Sequence, residues 1–249
     1  MEPDGLSPHE YARYARHLSL PEVGVEGQTR LKSSSVLLVG AGGLGSPLGM
    51  YLAAAGVGHL ILVDFDNVEL SNLQRQILHQ TADIGRPKVE SARDALQRLN
   101  PDVQITIVNH QLEGSELQDW ITKADIVLDG SDNFATRFAI NDACVATETP
   151  LVSGAAIRME GQVAVFMNDG SGPCYRCLYK DEGELDMSCS ENGVLAPVVG
   201  IIGSIQSTEA IKVLTGVGET LHGRLLLLDA QHMEWRSLKL KKDPACPVC

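Results

Sequence analysis

Short apolar runs alternate with amphipathic segments along the first half of the chain. Residues 36–39, 60–63 and 126–128 are apolar at every position, which is typical of parallel strands covered by helices on both faces. Residues 103–107 alternate between apolar and polar side chains, as in a further strand. Segments with helical spacing lie between these runs. The resulting β-α-β order predicts a Rossmann-like, doubly wound α/β sheet.

The helices of this half are predicted from their caps and their periodicity. Residues 7–20 form the first, because Ser7 is a suitable N-cap and Glu10 completes a capping box. In the later ones the apolar residues recur three and four positions apart along one stripe. These helices cover residues 44–55, 87–99 and 134–146.

The second half of the chain has a different pattern, in which one long helix near residues 198–214 interrupts a series of strands. The predicted strands cover residues 151–155, 162–166, 225–228 and 235–240. Because no linker separates the halves, we expect these strands to extend the same sheet as further antiparallel strands. The prediction is a single domain over residues 1–249, with a nucleotide-binding half at 1–150 and a second half at 151–249.

Composition and charge narrow the classes of partner. Of the 249 residues, 44% are hydrophobic, as in an ordinary globular protein. Lys and Arg total 20 against 32 Asp and Glu, so the formal net charge is −12. This balance argues against nucleic acid or an anionic membrane as the main partner. The negative net charge does not exclude a small anionic ligand, which needs only a few local cations.

The sequence also indicates a compartment. No apolar run reaches the roughly 20 residues of a membrane helix, and the acidic N-terminus does not have the pattern of a signal peptide. We therefore expect a cytoplasmic protein. In that compartment, the six cysteines are expected to bind metal or do chemistry rather than pair as disulfides.

A glycine-rich loop follows the first predicted strand. Gly40, Gly42 and Gly45 have the spacing of a dinucleotide-binding fingerprint, between a strand and a helix as that motif requires. Glycines at these positions let backbone N–H groups approach phosphate oxygens. Asp64 ends the next strand, where a carboxylate can accept hydrogen bonds from ribose hydroxyls. Taken alone, the loop indicates a nucleotide and favours NAD.

Two cations downstream favour a different nucleotide. Arg75 and Lys88 follow the ribose-binding acid, and a nicotinamide cofactor rarely needs such a cluster. A triphosphate under attack at one phosphorus does need it, because negative charge grows on the transferred group and on the leaving pyrophosphate. Either cation taken singly is better explained as a solvated surface charge.

An acidic segment follows the strand at 126–128. Asp132 lies there, at the carboxyl edge of the predicted sheet, where ligands usually bind. Its carboxylate is a candidate ligand of Mg²⁺, which binds to one or two carboxylates together with substrate phosphates. The alternative is that Asp132 caps the helix that begins near Phe134.

The most specific metal signal is a pair of cysteine knuckles. Cys174 and Cys177 form one C-x-x-C motif, and Cys246 and Cys249 form a second. Two such motifs in a cytosolic chain predict a tetrahedral four-cysteine zinc site. Four protein ligands leave no open position for water, so the predicted role of the zinc is structural.

The other two cysteines carry weaker signals. Cys144 lies within a predicted helix and is expected to be a small buried hydrophobe. Cys189 lies in a polar segment whose nearby charges are acidic, and acidic neighbours raise a thiol pKa rather than lower it. An inert loop cysteine therefore explains Cys189 slightly better than a nucleophile does.

Together these motifs resemble the family of MoeB, ThiF, HesA and the ubiquitin-activating enzymes. The resemblance covers nearly the whole chain, and residues 153–162 are most similar to the MoeB branch. Its other parts are residues 13–16, the glycine loop at 40–45, residues 64–66, 71–75, 87–88 and 131–133, and the two knuckles.

The resemblance implies a reaction and its cofactors. ATP and the C-terminal glycine carboxylate of a small ubiquitin-like sulfur carrier, ending in Gly-Gly, would give an acyl-adenylate and pyrophosphate. The family pattern implies Mg²⁺ on Asp132 and zinc on the knuckles. It implies nucleotide contacts at Gly43, Asp64, Ser71, Asn72, Leu73, Gln74, Arg75, Lys88, Asp132 and Asn133. Of these, Arg75, Lys88 and Asp132 are the candidate catalytic residues.

The resemblance also implies partners. Arg16 would reach the active site of a neighbouring subunit, so a homodimer is expected, and the second half of the chain would bind the carrier. Cys189 aligns with a loop cysteine that links covalently to the carrier in some relatives, and its need in MoeB-like members is doubtful. Because the chain stops at Cys249 without a sulfurtransferase extension, the sulfur donor is expected to be a separate protein.

Three alternatives remain at this point. A ThiF-like activator would serve a carrier of thiamine synthesis or of tRNA thiolation. An NAD-dependent oxidoreductase would need neither the two cations nor a carrier. A non-catalytic scaffold would bind nucleotide and carrier without pyrophosphate exchange.

Overall fold

The computed structural model describes residues 5–180 and 193–249, and the sheet at its centre has eight strands. These are β1 (Ser35–Val39), β2 (His59–Val63), β3 (Gln104–Val108), β4 (Ile126–Asp129), β5 (Leu151–Ile157), β6 (Glu160–Phe166), β7 (Arg224–Asp229) and β8 (Glu234–Lys239). The α-helices are α1 (Pro8–Arg13), α2 (Ala15–Leu18), α3 (Gly24–Ser33), α4 (Gly45–Ala55), α5 (Lys88–Leu99), α6 (Gly114–Ile121), α7 (Phe134–Ala146), α8 (Tyr175–Leu178) and α9 (Ala196–Thr215).

The strand order confirms the predicted fold class. It is β3-β2-β1-β4-β5-β6-β7-β8, so strands from both halves of the chain join one sheet. The first five strands are parallel, and β6, β7 and β8 are antiparallel additions. The prediction that every later strand is antiparallel is wrong for β5. α7 carries the chain back across the sheet, so β5 enters in the same direction as β4.

The first helix is interrupted, whereas the sequence predicts one helix over residues 7–20. Its start is as predicted, because Ser7 and Glu10 form both hydrogen bonds of a capping box. The helix breaks at Tyr14, whose side chain is buried. The Tyr14 hydroxyl accepts a hydrogen bond from Asn100 Nδ2 at 2.9 Å. This long-range anchor separates α1 from α2 and leaves Arg16, on α2, exposed.

Three helices are not predicted by the apolar pattern: α3, α6 and the four-residue α8. α3 has a weak stripe, since its buried positions are Gly27, Gln28 and Leu31, and a buried glutamine is not read as part of a core face. α6 is only eight residues long, and it starts at Gly114, where φ is +53°. α3 and α6 can be recognised as helices only when the residues that pack against them are known.

Helices cover both faces of the sheet and position its carboxyl edge. α4, α5 and α9 pack on one face, and α6, α7 and α8 pack on the other. α9 lies against α4, β5 and β6, so it joins the two halves of the chain through one core. No helix among the described residues has the length and apolar character needed to cross a membrane.

Candidate active site and metal centre

A cavity of about 620 Å³ opens at the carboxyl ends of β1, β2 and β4. This is the edge at which doubly wound sheets bind ligands, and the volume is in the range of small-molecule sites. Six of the ten nucleotide contacts implied by the resemblance line it: Gly43, Asp64, Arg75, Lys88, Asp132 and Asn133. Two cations and one exposed acid therefore converge beside the glycine loop, as the sequence predicts.

The geometry of the glycine loop explains why it needs glycine. Gly40 has φ of +93°, and a Cβ there would lie 2.7 Å from the backbone oxygen of Gly130. A Cβ on Gly45 would collide with the carbonyl oxygen of Gly40. By contrast, a Cβ on Gly42 would meet only the amide of Gln76, at 3.5 Å. The loop thus packs tightly on its sheet side and exposes its backbone to the cavity, as a phosphate cradle requires.

Asp64 links the glycine loop to the end of β2. Its carboxylate accepts hydrogen bonds from the backbone N–H groups of Ala41 and Asp66, each at 2.8 Å. Burial raises the pKa of the Asp64 carboxyl, and the nearby positive charge of Lys88 and the two hydrogen bonds oppose that rise. The carboxylate keeps lone pairs that face the cavity and suit ribose hydroxyls.

The two cations differ in how firmly they are held. Lys88 is the first residue of α5, and its ammonium lies 2.7 Å from the carboxylate of Asp66. Its side chain is 7% exposed, whereas that of Asp66 is 52% exposed. Arg75 is partly exposed and donates a hydrogen bond to the Ser71 carbonyl at 3.3 Å. Lys88 is therefore a fixed charge in the cavity wall, and Arg75 is a more adaptable one.

The two acids at the end of β4 and in the loop after it differ in exposure: Asp129 is buried and Asp132 is exposed. Asp129 is fully buried and accepts hydrogen bonds from Ser131 and Ser153, and burial raises the pKa of its carboxyl. Asp132 is exposed in the cavity. The alternative role of Asp132 as a helix cap is wrong, because Asn133 caps α7 by accepting from the Thr136 N–H at 2.8 Å. The Asp132 carboxylate accepts one long hydrogen bond, from Asn133 Nδ2 at 3.5 Å, and its exposure in the cavity would let it hold Mg²⁺ beside bound phosphates.

Several predicted residues lie elsewhere. Ser71, Asn72, Leu73 and Gln74 do not line the cavity. Asn72 instead accepts a hydrogen bond from the Glu69 N–H at 3.3 Å, within a 3₁₀ turn at Leu70–Asn72. Arg16 does not reach the cavity of its own chain, and Cys189 lies outside the described residues. The roles of these residues stay predictions.

Three buried polar residues of the site are not identified by the sequence motifs. Gln76 lines the cavity, and its Oε1 is buried without a hydrogen-bond partner among the described residues. His79 is buried, lies 2.8 Å from the Ser91 hydroxyl and donates from Nε2 to the Ala41 carbonyl at 2.9 Å. Burial lowers the pKa of His79, so the neutral imidazole supports the glycine loop.

Arg137 is the third of these residues. It is buried in the cavity wall and donates from Nη2 to the Ser131 carbonyl at 2.9 Å. Its position between Phe134 and Phe138 is the only sequence signal, since a cation within an apolar stretch of helix needs a reason.

The four knuckle cysteines converge, as their spacing predicts. All four Sγ atoms lie within 4.8 Å of one another. Cys174 and Cys246 are 3.6 Å apart, and Cys177 and Cys249 are 3.4 Å apart. These distances are too long for a disulfide, and they are close to the roughly 3.8 Å expected for thiolates about 2.3 Å from a tetrahedral zinc. The Asp243 N–H also donates to Cys177 Sγ at 3.4 Å, so the donor set fits a structural metal ion. Cys144 is buried and separate, as predicted.

Comparison with known proteins finds a matching family profile and relatives that are named adenylyltransferases. The ThiF family profile matches residues 14–248. Molybdopterin-synthase adenylyltransferase of Escherichia coli (strain K12) is 52% identical over 244 residues, covering 98% of each chain. Sulfur carrier protein ThiS adenylyltransferase of the same organism is 47% identical, covering 98% of this chain and 97% of its own. A solved structure of E. coli MccB with ATP has a TM-score of 0.84 over 95% of this chain and 73% of its own, at 24% identity, which shows a shared fold.

Proposed function

The chain belongs to the ThiF family, and on that premise we propose that it adenylates the C-terminal glycine carboxylate of a small ubiquitin-like sulfur carrier. The pathway proposed is molybdenum cofactor biosynthesis, since a relative 52% identical over 98% of both chains is named molybdopterin-synthase adenylyltransferase. The observation that carries the chemistry is the convergence of Arg75, Lys88 and Asp132 in one cavity beside an open glycine loop. A hydride-transfer site would have no use for that charge arrangement.

The proposed reaction converts an unreactive carboxylate into a group that a nucleophile can attack. A carboxylate is a poor electrophile because its leaving group would be oxide. In the reaction, a carboxylate oxygen of the carrier attacks the α-phosphorus of ATP. The bond from that phosphorus to the bridging oxygen breaks, and pyrophosphate leaves with the electron pair. The product is an acyl-adenylate, which a sulfur nucleophile can later attack with loss of AMP.

This chain's own residues supply charge at defined places. The open N–H groups of the glycine loop bind phosphate oxygens, and Asp64 accepts from ribose hydroxyls. Lys88 and Arg75 offset the repulsion between the incoming carboxylate and the phosphates, and they stabilise the charge on leaving pyrophosphate. Asp132 would hold Mg²⁺, which supplies further neutralisation of phosphate charge. Lys88 is held in the cavity wall, so its charge is in place before the reaction starts.

Partners follow from the same proposal. The carrier ends in Gly-Gly, its tail enters the cavity, and a separate protein donates the sulfur. The active unit is a homodimer in which Arg16 of one subunit completes the site of the other. The exposure of Arg16 on α2, away from its own cavity, supports this arrangement. Four reduced thiolates bound to metal suit the cytoplasm.

The experiment that tests the function is ATP–pyrophosphate exchange with purified candidate carriers. We expect exchange that depends on a carrier of the molybdopterin pathway and on Mg²⁺. Exchange only with a thiamine or tRNA-thiolation carrier would replace the pathway and keep the chemistry; the 47% identity to a ThiS adenylyltransferase makes that carrier the necessary comparison. ATP and carrier binding without any exchange would contradict the proposal.

The metal of the cysteine cluster is proposed to be zinc. We expect elemental analysis of the purified protein to find about one zinc per chain, and a strong chelator to lower the melting temperature. The physical reason is that the metal ties the C-terminal residues to Cys174 and Cys177, so its loss releases a closed loop of chain. Purified protein that contains no zinc and melts at the same temperature with chelator would contradict the assignment.

A further inference from the structure

α7 touches both functional centres of the molecule. Its N-cap, Asn133, follows Asp132 in the cavity wall. Two turns further along, Asn141 on the same helix faces Cys174 of the metal cluster. Arg137 and Asn141 are four residues apart, so their side chains share one face of the helix. One rigid element therefore connects the candidate catalytic loop with the cluster.

Asn141 bridges the helix and the first knuckle. It is fully buried, and its Oδ1 accepts a hydrogen bond from the Tyr175 N–H at 2.7 Å. Its Nδ2 lies 3.8 Å from Cys174 Sγ and donates to Asp142 Oδ1 at 3.0 Å. The amide thus contacts a metal-ligand sulfur and the backbone of the next residue at once. A buried amide with both ends engaged is held in one orientation.

The knuckle packs on the start of α7 through aromatic rings. Tyr175 lies edge-on to Phe138 with centroids 5.7 Å apart, and Tyr179 lies edge-on to Phe134 at 5.6 Å. Three of the four phenylalanines of the chain belong to this cluster, the third being Phe166 beside Tyr175. Such contacts fix relative orientation as well as burying area. A shift of the knuckle therefore displaces the first two turns of α7.

The last contact reaches the catalytic loop. Arg137 donates to the carbonyl of Ser131, the residue before Asp132, at 2.9 Å. Its guanidinium also lies 5.6 Å from the centroid of the Phe134 ring, which packs against Tyr179 just after the first knuckle. Arg137 therefore lies between the knuckle and the loop.

We propose that Asn141 is a positioning residue that couples the four-cysteine cluster to the loop carrying Asp132. If the cluster holds a metal ion, Cys174 would bind it as a thiolate, and a thiolate would accept a stronger hydrogen bond from Asn141 Nδ2. The oriented amide then holds the backbone of Tyr175 in place. The knuckle in turn keeps α7 in position, so that Arg137 can donate its hydrogen bond to the Ser131 carbonyl. Only the catalytic half of this coupling rests on the proposed adenylation; the link between Asn141 and the metal stands independently of it.

The test variant is Asn141→Leu, which keeps the branching and the number of side-chain heavy atoms and removes all three hydrogen bonds of the amide. Loss of an outer-shell partner is expected to lower metal affinity about tenfold or more in competition with a chromophoric chelator. With Co²⁺ in the cluster, the sulfur-to-metal charge-transfer band should move to longer wavelength, because a thiolate without its hydrogen bond gives up an electron more easily. Asn141→Asp, which keeps the acceptor for Tyr175 and removes the donor to sulfur, carries the same expectation if Asn141→Leu does not fold.

The matched control is Cys144→Ala, at an equally buried position of the same helix that is not part of the cluster. It should keep the metal affinity and the Co²⁺ spectrum of the unmodified protein. Asn141→Leu should also raise the Mg²⁺ concentration that gives half-maximal pyrophosphate exchange, by about 2- to 30-fold, whereas Cys144→Ala should not.

Each result decides one part of the proposal. An Asn141→Leu protein with unchanged metal affinity and Co²⁺ spectrum would overturn it. Weaker metal binding with an unchanged Mg²⁺ requirement would overturn the coupling to the catalytic loop. If the unmodified protein shows no exchange with any carrier, the proposed function fails, and the metal readouts still decide whether Asn141 supports the cluster.

Discussion

Replacing Lys88 with alanine should slow ATP–pyrophosphate exchange about 10²-fold or more, the usual cost of removing one preorganised charge-stabilising donor. Lys88 has this weight because its ammonium is held in a wall that is almost closed to solvent, with a side chain 7% exposed. In such surroundings, water cannot replace the lost charge beside the phosphates. The readout is the rate of carrier-dependent exchange at saturating ATP and Mg²⁺.

The fold should tolerate this change. Lys88 is the first residue of α5, where the helix dipole disfavours a cation, and its partner Asp66 is half exposed and becomes hydrated when left alone. The melting temperature should therefore stay close to that of the unmodified protein. Arg93→Ala is the matched control, because Arg93 lies on the same helix, pairs with Asp94 at the surface and does not line the cavity.

The outcome separates chemistry from stability. Lys88→Ala with an exchange rate near that of Arg93→Ala would show that Lys88 is a bystander, and the proposed charge arrangement would fail with it. Arg75→Ala should also lose about 10²-fold or more. The Arg75 guanidinium is partly exposed, and within residues 5–180 and 193–249 its hydrogen bond goes to the Ser71 carbonyl. A small cation added to the assay should therefore restore more activity to Arg75→Ala than to Lys88→Ala.

Arg16→Ala and Asp132→Ala should each lose about 10²-fold or more in exchange, and a heterodimer of the two variants should regain about half of the unmodified rate. In that heterodimer, one site combines the intact Asp132 of one subunit with the intact Arg16 of its partner, and the other site lacks both. The structure motivates the test, because Arg16 is exposed on α2 and does not reach the cavity of its own chain. Co-expression with two affinity tags isolates the mixed dimer.

The reciprocal heterodimer is the control. A subunit with both changes, paired with an unmodified subunit, should be as slow as the single variants, because each of its two sites then lacks one group. If Arg16 acts within its own chain, the reciprocal heterodimer should have about half of the unmodified rate and the first heterodimer should be slow. The reason is that only the reciprocal heterodimer would then keep an intact site. Activity of the second and none of the first would therefore remove Arg16 from the shared site.

The strands and the glycine loop were predictable because local properties determine them. Uniformly apolar runs at 36–39, 60–63 and 126–128 suit only strands covered on both faces, and they became β1, β2 and β4. Gly40 needs a positive φ and a close backbone approach, which are requirements of one residue and its immediate turn. The cysteine knuckles carry their chemistry in two short spacings, so their convergence was predictable even though 68 residues separate them.

Other features depended on partners that no local pattern identifies. The first helix breaks because Tyr14 is anchored by Asn100, and β5 is parallel because α7 crosses the sheet before it. The support of the glycine loop by His79 requires a ring nitrogen and the Ala41 carbonyl to meet across 38 positions.

The sequence by itself determined which chemical groups are available for function, because a glycine loop, two cations and two pairs of cysteines are properties of residue types at short spacings. Only the tertiary structure decided which of those residues share a cavity, which acid is buried and which is exposed, and that α7 extends from the loop carrying Asp132 to Cys174 of the cluster. The physical reason is that burial and hydrogen bonding belong to pairs of groups. The partner of Asn141, for example, lies 34 positions away at Tyr175 and is selected by the packing of the whole core.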